Sequence, residues 1–90
     1  MSDTITITVR PFRMGTEKEA ALKPLEEAAE VYGAWQLQGH YPSDGLPKTW
    51  LAGELADYVT ACVNLADRYH VNLQEALDRV EERNRERGRY

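Results

Sequence analysis

The chain has a single cysteine, Cys62, in 90 residues. No internal disulfide can form, which is the pattern of a reducing compartment. It has no apolar run approaching the ~18 residues that a membrane span requires, and no stretch with the layout of a secretory leader. A soluble, cytoplasmic protein is the expectation. It also lacks an excess of positive charge. The formal net charge is −4, which argues against nucleic acid as a partner, because general nucleic-acid binders are basic. Histidine and cysteine are too few and too scattered for a zinc site. His40 and His70 do not follow a glutamate at the i, i+3 spacing of di-iron bundles. What is plentiful is apolar content, at 42%. That excludes wholesale disorder, while the length allows one domain with a modest core of its own.

The chain reads in four parts. Thr4-Ile5-Thr6-Ile7-Thr8-Val9 alternates strictly and is β-branched throughout, which is a strand signal. Residues 1–12 are therefore expected as an extended N-terminal arm. One strand cannot form a sheet, so it adds to a partner subunit, lies on the helices, or stays a loosely held arm. Thr16-Glu17-Lys18-Glu19 is a capping box that opens a first helix over 16–38. Pro24 predicts either a kink or a restart of that helix. Its apolar stripe runs through Leu22, Leu25, Ala29, Tyr32 and Gln36. Glu27, Glu30, Ala34 and Leu37 trace a neighbouring stripe, so the acids are expected to border the buried face.

Residues 39–45 read as a loop, and Pro47 opens a second helix over 47–70. Gly53 weakens that helix and has a use if a backbone or ligand comes close. The helix is apolar on many sides, from Leu51 and Leu55 round to Ala61 and Val63. A second subunit would cover it. Asn72-Leu73-Gln74-Glu75 starts a third helix over 73–87, with Leu73, Ala76, Leu77 and Val80 expected inward. The fold class is thus all-α: short antiparallel helices forming a bundle completed by oligomerisation, with an extended N-terminal segment.

Two acidic clusters carry the chemistry. Glu26-Glu27-Ala28-Ala29-Glu30 and Glu54-Leu55-Ala56-Asp57 each hold carboxylates at i, i+3 on one helix face. Like charges at that distance repel, and burying them is costly. Facing pairs on antiparallel helices would build an oxygen-rich pocket suited to a hard cation such as Mg²⁺. Taken singly, such clusters are ordinary solvated helix faces. Asp57 is the exception, since aspartate is a poor helix former and sits among Leu55, Tyr58 and Ala61.

Glu-Glu-x-x-Glu followed after a 23-residue gap by Glu-x-x-Asp resembles the signature of the MazG-like, all-α nucleoside triphosphate pyrophosphohydrolases. Leu65-Ala66-Asp67-Arg68, Glu75-Ala76-Leu77 and Glu82-Arg83-Asn84-Arg85 extend the resemblance over roughly Leu22 to Arg87, in the short, single-domain, phage-type branch. The resemblance implies cleavage of a (deoxy)nucleoside triphosphate to the monophosphate and pyrophosphate. It implies Mg²⁺, with Mn²⁺ as the alternative, held by Glu27, Glu30, Glu54 and Asp57. Glu26 and Glu27 are implied as catalytic, Glu26 as a further ligand or as the group orienting the attacking water. Asn84 matches the family asparagine. Where the family often has a phosphate-reaching lysine, this chain has Val80, and Arg83, Arg79 or Lys48 would have to compensate. Trp35, with Tyr32, Trp50 and Tyr58, lies within reach of a nucleobase. A homodimer or homotetramer is implied. The competing expectation is a non-catalytic helical oligomer that binds a nucleotide or a partner protein.

Overall fold

The computed structural model describes residues 3–38 and 46–90, with the side chains of 38 and 46–48 outside that description. The expected loop, including His40, and the side chain of Lys48 therefore lie outside the described residues. Among those described, the chain folds into α1 (Glu17–Gln38), α2 (Leu46–Arg68) and α3 (Leu73–Glu86), with no strand.

Local chemistry sets the ends. At the start of α1, Glu19 N–H donates to Thr16 Oγ1 at 3.2 Å, and Thr16 N–H donates to Glu19 Oε1 at 3.3 Å. This reciprocal pair satisfies two donors that the first turn would leave open. Gly15 precedes it at φ +45°, and a Cβ there would meet the Glu19 carboxylate at 2.7 Å. The helix runs through Pro24 without ending, so neither a new start nor a break follows from the proline. α2 stops at Arg68, short of the expected residue 70. His70 takes φ 56°, and Val71 N–H closes back on Ala66 C=O at 2.8 Å. A left-handed residue with this closing bond is the usual helix stop, normally built with glycine. Asn72 then caps α3 by accepting from Glu75 N–H at 3.0 Å.

α1 and α2 pack against each other, and α3 makes only marginal contact with either. The buried apolar residues are Ala20, Ala34 and Ala61. All are small, so the two helices approach closely but bury little hydrocarbon. This reverses one expectation. The large-residue stripe of α1 faces out: Leu25 is 69% exposed and Tyr32 58%. The stripe expected beside it, through Glu27 and Ala34, is the buried one. A second expectation fails in the same way. No residue of α3 is buried, and Leu77 and Val80 stand exposed where they were expected inward.

The shape agrees. The accessible surface is 7528 Å², where a compact monomer of this mass would show about 5,400 Å². The radius of gyration is 15.5 Å, against about 12 Å for a compact domain of this length.

Candidate metal centre

Close packing of α1 on α2 brings carboxylates from both acidic clusters to one place. Oxygens of Glu27, Glu30 and Glu54 all lie within 4.8 Å of one another. Glu27 is buried at 5% exposure, Glu54 is half-buried, and Glu30 is exposed. The group thus runs from the helix seam out to solvent.

Several contacts hold these side chains. Lys23, one turn before Glu27, places Nζ 3.2 Å from Glu27 Oε1 and 3.6 Å from Glu26. The hydrogen bond to Glu27, reinforced by its charge, raises the Lys23 pKa against the opposing effect of desolvation. Trp50 Nε1–H donates to Glu54 Oε1 at 3.2 Å across one turn of α2. Each buried or half-buried glutamate therefore has one oxygen tied to its own helix. The other is left over: Glu27 Oε2 and Glu54 Oε2 are buried and meet no donor. A buried acceptor without a partner costs about 1–3 kcal/mol, more for a charged group.

In the metal-free chain a proton can relieve this. The Glu30 pKa is raised, chiefly because a protonated Glu30 hydrogen-bonds Glu54, then through the same bond to Glu27 and the charge of Glu27. Carboxylate against carboxylate is otherwise repulsive, so a shared proton or a cation would relieve the group. The donor set consists of hard oxygens alone, so the group could hold a hard metal ion. Two orphaned oxygens in the seam fit that occupant.

The other expected site residues stand apart. Asp57 is exposed and falls outside the group of three. Glu26 is solvent-facing, with its side chain 61% exposed. Arg83 is exposed and Asn84 half-buried on α3, which α1 and α2 scarcely touch. Trp35 is exposed and stacks on Tyr32 with ring centroids 5.6 Å apart at 30°. The roles of Lys23 and Trp50 in holding the glutamates were not foreseen. The signal was present, because each lies four residues before the acid it holds, a spacing that puts side chains in contact on a helix.

No family model, characterised protein or solved structure matches this chain.

Proposed function

We propose that the chain is a MazG-like, Mg²⁺-dependent nucleoside triphosphate pyrophosphohydrolase, acting as a homodimer or homotetramer. The observation that carries this reading is the meeting of Glu27, Glu30 and Glu54, with two of their oxygens buried and unpartnered. The reaction adds water to a (deoxy)nucleoside triphosphate and releases the monophosphate and pyrophosphate. Bound Mg²⁺ would neutralise phosphate charge and lower the pKa of a coordinated water.

The chain's own residues divide the remaining work. Glu27, Glu30 and Glu54 supply ligand oxygens. Asp57, one turn beyond Glu54 on the same helix, would be the fourth ligand. Glu26, solvent-facing and one residue before Glu27, orients the water and takes its proton. Lys23 holds the Glu27 carboxylate in place through their ion pair. Trp50 fixes Glu54. Trp35, stacked on Tyr32, offers a flat surface to the base. Arg83, with Arg79 or Lys48, would meet phosphate oxygens; Arg83 and Asn84 are neighbours on α3, and Arg79 there is paired with Glu75.

The faces left open support an assembly. Large apolar side chains on α1 and α3 are exposed, and the surplus accessible surface has the size that obligate interfaces bury.

The test is direct. Purified protein is incubated with each dNTP and NTP in the presence of Mg²⁺, and products are separated. Pyrophosphate and monophosphate are expected, with turnover lost in Glu30→Gln and in Asp57→Asn. A folded protein that turns over no triphosphate refutes the reading and leaves the non-catalytic oligomer. If Asp57→Asn alone retains full rate, the three-glutamate group suffices and Asp57 has no catalytic part.

A further inference from the structure

The segment ahead of α1 takes no part in the metal centre. From residue 3 to residue 14 it has no helix, turn or bend. Its backbone N–H and C=O groups over 3–11 have no hydrogen-bond partner among the described residues. Ile5 is 85% exposed and Ile7 63%. An unpaired stretch with this composition is a template for another strand.

It is not a loose arm. Phe12 N–H donates to the buried Asn64 Oδ1 at 2.8 Å. Arg68 donates to the carbonyls of Met14 and Gly15, each at 3.3 Å. One end is thus fastened to α2, and the alternating part is held out beside it. Between that part and α2 lies an opening of about 480 Å³, lined by residues 7–10 on one side, Thr8 and Arg10 included, and by Leu55, Ala56, Val59 and Thr60 on the other.

We propose that this segment pairs with the same segment of a second copy as an antiparallel two-stranded ribbon, its apolar face seated over α2. The occupant follows from the sequence of the strand itself. Pairing about Thr6 sets Ile5 opposite Ile7 and Thr4 opposite Thr8, so all isoleucines share one face and all threonines the other. In this register Asp3 stands opposite Val9, one position along the strand from Arg10 of the second copy, whereas parallel pairing in register sets Asp3 on Asp3 and Arg10 on Arg10. A two-fold contact also closes after two copies. An isolated two-stranded ribbon is marginal in water, and the opening against α2 supplies the missing cover. The proposal shares with the preceding reading only the association of copies, and it is independent of catalysis.

Two measurements test it. In the full chain carrying Thr6→Cys and Cys62→Ala, the paired Cα atoms would lie about 4.5–5.5 Å apart, within disulfide range. Oxidation with diamide is expected to give a covalent dimer, whereas Glu17→Cys in the same background stays monomeric on the gel. In the unaltered chain, hydrogen exchange of alternate amides between Thr4 and Val9 is expected to slow by roughly tenfold or more as concentration rises into the associated range. Amides that exchange at the free rate while the chain sediments as an oligomer overturn the ribbon and leave the oligomer standing. A chain that sediments as a monomer at every concentration overturns it as well. Failure to hydrolyse any triphosphate bears on neither result.

Discussion

The seam between α1 and α2 and the outer faces of the helices are built from opposite materials. The seam holds Ala20, Ala34, Ala61, Asn64 and the carboxylate of Glu27. The outer faces carry Leu25, Tyr32, Trp35, Tyr58, Leu77 and Val80, all exposed. A globular domain places these the other way round. Small residues in the seam allow the close approach of α1 and α2, and the larger hydrocarbon stays exposed on the outer faces.

The sharpest way to break this comparison is to charge an outer face. Leu77→Lys or Leu25→Lys in an isolated monomer would change stability by about 0.5 kcal/mol or less, as exposed substitutions do. If those faces are interfaces, sedimentation will show loss of the oligomer, and the Tm will fall and become insensitive to protein concentration.

Next in size is the metal. Adding Mg²⁺ at about a hundred times its Kd should stabilise the fold by about 2.7 kcal/mol. In a chain of this length that raises the Tm by roughly 10 °C or more. Glu54→Gln keeps an acceptor for the Trp50 indole while removing a charge from the seam. It should leave the metal-free Tm unchanged or higher and abolish the Mg²⁺ increment. An equal increment in both proteins would place the ion elsewhere.

Two backbone substitutions probe the outer surface more gently. Gly53 is exposed, and a methyl group added at its Cα would meet nothing within 4 Å, so Gly53→Ala should stabilise a lone chain by about 1 kcal/mol. A loss of stability or of association instead would mean that a partner's backbone or a ligand uses that gap. His70→Gly should stabilise by about 1 kcal/mol whatever the assembly, because it relieves a left-handed residue. Thermal melts read both.

The smallest effect is pH. The folded-state pKa of Glu30 is raised, by its hydrogen bond to Glu54 first. A group that binds its proton more tightly when folded stabilises the fold as pH falls. The metal-free protein should therefore gain stability from neutrality down through the raised Glu30 pKa toward the ordinary carboxylate range. With saturating Mg²⁺ the slope should reverse, since protons compete with the ion. Parallel slopes would detach Glu30 from the metal.

Helix type and several ends were legible because they depend on neighbours in sequence. The Thr16–Glu19 box and the Asn72 cap form as their spacing implies. The end of α2 was not, because His70 occupies a conformation that a reader reserves for glycine. Nor was the choice of buried stripe on α1. Periodicity assigns the core to the face with the largest hydrophobes, and that rule presumes the chain must bury them alone. The coming together of Glu27, Glu30 and Glu54 followed from spacing once two antiparallel helices were assumed. The exposure of Asp57 did not.

By itself the sequence determined three helices, the caps that open α1 and α3, and which carboxylates share a helix face, because i, i+3 and i, i+4 relations are fixed by the helical repeat. Only the tertiary structure decided that the alanine stripe and not the leucine stripe forms the seam. Alanines allow the close approach that brings Glu54 across to Glu27 and Glu30, and they leave two carboxylate oxygens buried without a donor. That contact joins residues more than twenty positions apart, and no local pattern encodes how closely two helices will pack.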